Sequence, residues 1–253
     1  MPSQTTESGT LIVTGASRGI GAAIARLAAQ RGYSVCVNFR TEESAANNIA
    51  REINSQGGRA LAIRADVVRE DQIINMFKRA ESELGPIKAL VNNAGITGGF
   101  ARVENVTAGA IEQVFAVNVT GAMLCAREAV QRMSTKHGGT GGAIVNISSR
   151  AAHTGAPGEW VHYAATKGAI DSFTIGLARE VATEGIRVNA VSPGLIATDI
   201  HASGEPGRLE RLMPSVPMRR PGLPGEVAEA TLWLLSPAAS YTTGAILEVS
   251  GGR

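Results

Sequence analysis

Short apolar runs alternate with helical stretches along the whole chain, and this rhythm restricts the fold more than any other property of the sequence. Runs at 11–13, 34–39, 60–65, 89–91, 143–147, 186–191 and 245–249 read as seven strands. The helical pattern covers 22–31, 42–55, 70–84, a long stretch 108–136, a helix through 163 and 167 to 183, and 226–235. Gly32, Gly57-Gly58, Gly85-Pro86 and Gly185 supply the stops between them. Strands that are apolar throughout are buried on both faces, and strands separated by helices pair in parallel through crossovers. The expected class is α/β: a doubly wound, mostly seven-stranded parallel sheet with helices on both faces. A chain of 253 residues can bury one such core. A single domain is expected over 9–253, after a flexible polar N-terminus at 1–8. No linker, charge block or repeat interrupts it. An irregular, proline-dotted segment at 193–224 stands apart from the alternation; within it, about 195–220 reads as a substrate lid. Leu209, Leu212, Met213 and Met218 there either cover a bound substrate or pack on the last helix.

The first strand runs straight into Thr14-Gly15-Ala16-Ser17-Arg18-Gly19-Ile20-Gly21, which opens a helix. Glycines in that position permit a tight turn and let the backbone approach a pyrophosphate lying on the positive helix end, the Rossmann arrangement. The spacing departs from the usual G-x-G-x-x-G, so the strand–turn–helix context carries the weight; the plain alternative is a turn that only packs. Cofactors with a free ribose 2′-hydroxyl are held by an acid about 20 residues further on. Here the second strand ends Val37-Asn38-Phe39-Arg40, with no acid at its tip. Arg18 and Arg40 are placed to flank a 2′-phosphate, which favours NADP(H) over NAD(H). The alternatives are that both arginines are solvated, or that Glu42 or Glu43 serves as a late acid.

Tyr163 and Lys167 stand four residues apart in a helical segment, so phenol and ammonium share a face. A cation about 4 Å from the phenol, at an effective dielectric near 20, gives roughly 4 kcal/mol toward the phenolate. A tyrosine so tuned can exchange a proton with a substrate oxygen. By itself the spacing is common and carries no chemistry.

Apolar content of 44% and charged content of 18% are those of a soluble globular chain, and a net charge of +2 gives no case for nucleic acid or a membrane surface. No uninterrupted apolar run approaches the ~20 residues of a membrane helix. The residues before Gly9 lack a signal-peptide pattern. Cys36 and Cys125 fit neither a metal site nor a disulfide framework and read as buried small hydrophobes, so a cytoplasmic location is expected. The histidines His137, His153, His162 and His201 have no zinc-ligand spacing, and no metal site is expected. His201 is a candidate for the substrate pocket.

Thr14-Gly15-x-x-x-Gly19-Ile20-Gly21, Asn92-Asn93-Ala94-Gly95, Ser149, Tyr163-x-x-x-Lys167 and Pro193-Gly194, in this order, resemble the motif set of the short-chain dehydrogenase/reductase family over nearly the whole chain. The resemblance implies Tyr163 as acid/base, Lys167 as the group that lowers its pKa and bonds the nicotinamide ribose, Ser149 as the substrate-oxygen partner and Asn118 as a water anchor for proton relay. It also implies cofactor contacts from Gly15, Ser17, Arg18, Gly19, Ile20, Gly21, Asn38 and Arg40. Asp66 and Val67 would lie near the adenine, and Asn92, Ala94 and Gly95 beneath the ribose. Pro193, Gly194, Ile196 and Thr198 would line the nicotinamide and phosphates. For Asn92-Asn93 a turn bonding its own backbone is an alternative compatible with that role. Ser148 is adjacent to Ser149, and successive residues at a strand end face opposite ways, so only one can meet Tyr163; the register favours Ser149. A homotetramer is implied, with the helices from Ala108 and Trp160 pairing between subunits through an alanine-rich face.

The expected activity is hydride exchange between NADP(H) and a small carbonyl or alcohol compound: a sugar, small alcohol or ketone. The run Glu159-Trp160-Val161-His162-Tyr163 is similar to that of glucose-dehydrogenase-like members, and Gly138–Gly142 is unlike the compact turn of carrier-protein reductases. A 3-oxoacyl-[acyl-carrier-protein] reductase is the alternative. A nucleotide-sugar epimerase would need a longer chain and a different glycine loop. A silent NADP(H) sensor would be expected to have lost Tyr163 or Lys167.

Overall fold

A computed structural model describes residues 9–198 and 207–253. Seven strands form one sheet: β1 Thr10–Val13, β2 Ser34–Phe39, β3 Arg59–Arg64, β4 Ile87–Asn92, β5 Gly142–Ile147, β6 Ile186–Pro193 and β7 Ile246–Val249. Their order is β3-β2-β1-β4-β5-β6-β7, and every pairing is parallel. Each expected strand is present within a residue or two of its expected ends.

Alternation along the strands divides the core into two layers. Leu11, Val13, Val35, Val37, Val91 and Val145 pack against α1 (Gly19–Gln30), α2 (Glu43–Ser55) and, downstream, the C-terminal helix Pro224–Leu235. Ile12, Cys36, Ile63, Leu90, Ile144 and Val188 face the other way, onto α3 (Glu70–Leu84) and helices from 122 and 161. Because every central strand is covered on both faces, its sequence is apolar throughout rather than alternating. Cys36 and Cys125 are free and fully buried in this second layer, and burial pushes both thiols up.

The stretch expected as one long helix over 108–136 is three pieces. α4 (Ala108–Phe115) passes through a π-helical turn at Ala116–Gly121 into α5 (Ala122–Met133), and a short 3₁₀ turn Thr135–His137 follows. A Cβ on Gly121 would stand 2.7 Å from the Val67 carbonyl oxygen, so the π-helical turn lies where the rod passes close to the loop after β3. Periodicity does not show a one-residue insertion of this kind. By length and composition the rod 108–133 is apolar enough to cross a membrane, at a mean hydropathy of 1.3 over its best window, although charged residues interrupt its apolar run. Cys125, Ala126, Ala129 and Met133 turn its inner side into the core.

A short helix α6 (Ala151–Thr154) precedes α7 (Val161–Val181). The segment expected to be irregular contains α8 (Arg208–Leu212) and a 3₁₀ turn, Met213–Ser215, before α9 (Pro224–Leu235). Residues 199–206, including His201 and much of the expected lid, and the N-terminal residues 1–8 lie outside the described residues.

Candidate active site

The sheet reverses direction of winding between β1 and β4, and the carboxyl ends of these neighbours diverge there. Ligands of doubly wound sheets bind in that crevice. A cavity of about 360 Å³ occupies it, running from Arg40 and Asp66 past the glycine turn to Ser149, Tyr163 and Arg208.

At one end, the backbone does the work. Gly15 has φ of +61°, and a Cβ there would stand 2.9 Å from Ala94 Cα. A Cβ on Gly21 would stand 2.5 Å from Asn93 Nδ2 and 2.6 Å from the Gly15 oxygen. Both positions therefore require glycine for space, and Gly15 for conformation as well. Helix α1 starts with no side-chain cap and no acid in its first turn, so its leading N–H groups and positive end face the cavity. This cradle fits a pyrophosphate. The turn is locked from behind. Thr14 Oγ1 accepts from Asn93 N and Ala94 N, both at 3.0 Å, and Asn93 Nδ2 donates to Thr14 O at 2.8 Å and Gly15 O at 3.0 Å.

Asn38 lines the cavity, yet its amide is committed to the protein. Oδ1 accepts from Gly15 N at 3.1 Å, and Nδ2 donates to Ala65 O at 3.0 Å and Ile63 O at 3.3 Å. The strand tip thus offers no carboxylate. Arg18 and Arg40 line the cavity as exposed side chains, and neither makes an ion pair among the described residues. Glu42 also borders it; Glu43 does not. Asp66, Val67, Ala94, Gly95, Pro193, Gly194, Ile196 and Thr198 all line the same cavity, as do Ser17, Gly19 and Ile20.

Two expected residues are placed elsewhere. Asn92 is buried in the sheet: Nδ2 donates to Asn146 Oδ1 and Ala122 O, both at 3.0 Å, and its neighbour Asn93 is the asparagine in the cavity wall. The side chain of a strand's last residue follows the pleat, and here the pleat turns it inward. These bonds cross between elements rather than closing a local Asx turn. Asn118, on the π-helical turn, lies behind the wall. Its amide exchanges 2.9 Å hydrogen bonds with the backbone N–H and C=O of Ile96 and donates to Thr166 Oγ1 at 3.0 Å. A Cβ on Gly95 would be 3.4 Å from Asn118 Oδ1 and 3.8 Å from Lys167 Nζ, so the three converge on one spot.

At the other end, side chains from separate elements meet. Tyr163 is on the first turn of α7, and Lys167 follows one turn on. Lys167 Nζ donates to Ile147 O at 2.7 Å and lies 5.5 Å from the centre of the Tyr163 ring. Burial pushes the Tyr163 phenol up to about 12, opposed by a hydrogen bond with the Ser149 side chain and by the Arg208 guanidinium. Burial also pulls Lys167 down to about 8, against the pull of Asp171. The spacing alone led to the expectation that lysine lowers the phenol. In the fold, the ammonium bonds the carbonyl at the end of β5, and Ser149 and Arg208 are the groups that oppose the effect of burial on the phenol.

The two serines separate cleanly. Ser149 faces Tyr163, whereas the Ser148 hydroxyl donates to Lys167 O at 3.4 Å and bonds Asp171. Ala156, between Ser149 and Tyr163 in the chain, lines the cavity at φ of +44°, a strained conformation for a residue with a Cβ.

Three residues with no sequence signal also reach this end, Arg150, Arg208 and Arg253, together with Glu159 from the run before Tyr163. Arg208 is buried; Nη2 and Nε bond Glu159 Oε2 at 2.7 and 3.0 Å, and its guanidinium stacks 4.1 Å over the Trp160 ring. Trp160 in turn meets Tyr163 edge-on at 6.2 Å. From the segment expected to cover substrate, Arg208 lines the cavity together with Leu195, Ile196 and Thr198; Leu209, Leu212 and Met213 are half-buried, and Met218 is 60% exposed. Among the described residues no group of three potential metal ligands exists.

Comparison with known proteins agrees with this architecture. A family model described as Enoyl-(Acyl carrier protein) reductase matches residues 15–253. The uncharacterized oxidoreductase YgfF of Escherichia coli (strain K12) is 52% identical over 96% of this chain and 98% of its own. Glucose 1-dehydrogenase 2 of Bacillus subtilis (strain 168) is 38% identical over 96% of this chain and 93% of its own. The 3-oxoacyl-[acyl-carrier-protein] reductase FabG of Staphylococcus aureus (strain Mu50 / ATCC 700699) is 36% identical over 95% and 96%. Among solved structures, a blue fluorescent protein from a metagenomic library in complex with NADPH superposes with a TM-score of 0.90 at 33% identity, covering 98% of this chain and 99% of that one. A 7α-hydroxysteroid dehydrogenase complexed with NADH and 7-oxo glycochenodeoxycholic acid reaches 0.91 at 33% identity, covering 100% and 98%. The chain belongs to the short-chain dehydrogenase/reductase family and is an oxidoreductase of that family.

Proposed function

We propose that this protein is an NADP(H)-dependent oxidoreductase acting on a small carbonyl or alcohol compound, a sugar, small alcohol or ketone. The observation that carries the reading is the meeting of a buried, protonated Tyr163 with Ser149 at the far end of a cavity whose near end is an uncapped helix start behind a glycine turn. NADPH in one structural neighbour and NADH in another support a nicotinamide cofactor. When bound, the cofactor supplies or accepts the hydride.

Each group of the chain then has a part. Gly15, Ser17, Gly19, Ile20 and Gly21 receive the phosphates, and Arg18 and Arg40 receive a 2′-phosphate as charge-assisted donors. Asp66, Val67, Ala94 and Gly95 hold the adenosine half; Pro193, Gly194, Ile196 and Thr198 line the nicotinamide half, and Lys167 bonds its ribose. Ser149 holds the substrate oxygen by a hydrogen bond that strengthens as charge develops on it. Tyr163 gives that oxygen its proton in reduction and takes it back in oxidation. Asn118 fixes the loop through Ile96 against Thr166, and so places Gly95 and Lys167; the water relay expected of it is proposed on that placement.

Titration with both cofactors tests the preference: NADPH should bind at least tenfold more tightly than NADH. Equal affinities would remove Arg18 and Arg40 from the phosphate site. Consumption of NADPH absorbance with a panel of ketones, sugars and acyl thioesters tests the reaction. The likeness to FabG keeps 3-oxoacyl-[acyl-carrier-protein] thioesters in that panel.

A homotetramer is proposed on the outward apolar side chains of the 108–133 rod and α7, namely Ile111, Phe115, Met123 and Ile175, all more than a third exposed. Of the alanine-rich face, Ala164 and Ala178 are buried in this chain and Ala165 is exposed. Light scattering gives the subunit number. A cytoplasmic location is proposed on the two buried free thiols.

A further inference from the structure

We propose that the substrate carries an anionic group, a carboxylate or phosphate, held by Arg208 and Arg253 while its carbonyl or hydroxyl meets Ser149 and Tyr163. The inference rests on the oxidoreductase reading and narrows its substrate class.

The charges at this end of the cavity are unequal. Among the described lining residues there, Arg150, Lys167, Arg208 and Arg253 are cations, and Glu159 is the carboxylate. Two of the arginines are fixed in place. Glu159 holds Arg208 against Trp160. Arg150 donates from Nε to Arg253 O at 2.7 Å and pairs with Glu248 through Nη1, which pins the chain at 253 to the β5 end. The Arg253 guanidinium is left half-buried, with no hydrogen bond or ion pair to another described residue. Burial and the neighbouring Arg208 push its pKa below the ordinary value, Glu159 works against that, and Arg150 adds to it. A cation held beside two others is an unfavourable arrangement that an incoming anion relieves.

Trp160, stacked beneath the Arg208 guanidinium, lines the same end. The surplus at this end is of donors. Carboxylates and phosphates are acceptor-only and match the guanidinium fork, whereas a neutral sugar hydroxyl needs acceptors as well.

Two matched pairs test the inference in steady-state turnover: acetoacetate against methyl acetoacetate, and dihydroxyacetone phosphate against dihydroxyacetone. The charged member of one pair should have a kcat/KM higher by roughly tenfold or more, and which pair shows it tells carboxylate from phosphate. Arg253→Gln should bring that ratio close to one, mainly through KM. Equal or inverted ratios in both pairs overturn the proposal.

A binding measurement keeps the two readings apart. In a Trp233→Phe background, malonate or inorganic phosphate should change Trp160 fluorescence, neutral malonamide should not, and Arg253→Gln should weaken the response by roughly tenfold. Anion binding without any carbonyl-dependent cofactor turnover would keep the anion site and overturn the oxidoreductase reading. Turnover of neutral ketones with no response to either anion would do the reverse.

Discussion

The two ends of the cavity are built on different principles. The nucleotide end is one continuous segment, Gly15 to Gly21, whose ligand groups are backbone N–H donors held in place by Thr14 and Asn93. The reacting end gathers side chains from the end of β5, from α7, from α8 and from the chain at 253. The first is proposed to bind by shape and dipole, and at Gly15 and Gly21 it leaves no room for a Cβ. The second works by protonation states, and depends on which neighbours burial supplies. Damage at the first end should therefore appear in affinity and stability, and damage at the second in rate and pH dependence.

The sharpest division comes from Tyr163→Phe. Turnover should fall by roughly a thousandfold while cofactor affinity stays within about twofold. Loss of affinity on the same scale would show that the two ends are not separable. Ser149→Ala should cost roughly a hundredfold in kcat, because it removes the donor to the developing charge. At the nucleotide end, Gly21→Ala forces a Cβ into Asn93 Nδ2 and the Gly15 oxygen. Thermal unfolding should register a loss of about 1–3 kcal/mol, and cofactor titration a weaker complex. Unchanged stability would mean that the turn has room the structure does not show.

Smaller effects sharpen the contrast. The buried phenol is protonated far past neutrality, since its pKa is raised to about 12. Reduction needs the protonated form, so its rate should stay flat with rising pH as far as Tyr163 governs it. Oxidation needs the phenolate and should still be climbing at ~pH 10. A plateau in oxidation below ~pH 8 would place the phenol lower than its surroundings imply. Smallest of all, Ser148→Ala should leave turnover within about twofold, since that hydroxyl makes only a 3.4 Å bond to Lys167 O and contacts Asp171 rather than Tyr163. A loss equal to that of Ser149→Ala would reverse the assignment of the two serines.

What was legible before the fold was known follows the same division. The strands could be read because burial on both faces leaves a continuous apolar signature, as in Ser34–Phe39 and Gly142–Ile147. The glycine turn could be read because steric demands at Gly15 and Gly21 admit one residue type. That the Asn92 side chain turns into the sheet while Asn93 borders the cavity was not legible, because two adjacent asparagines differ only in the pleat. The π-helical turn at Ala116–Gly121 was missed because hydrophobic periodicity averages over a single inserted residue.

The sequence by itself determined the class of fold, the place of the glycine turn after the first strand and the sharing of one helix by Tyr163 and Lys167. These depend on contacts within a few residues or on patterns repeated along the chain. The tertiary structure decided the electrostatics: that Lys167 turns to Ile147 O, that Ser149 rather than Ser148 meets the phenol, and that Arg208 and Arg253 stand at the substrate end. Coulomb interactions and desolvation depend on distance and burial in space, and residues 45 positions apart, such as Tyr163 and Arg208, carry no mark of their proximity in the chain.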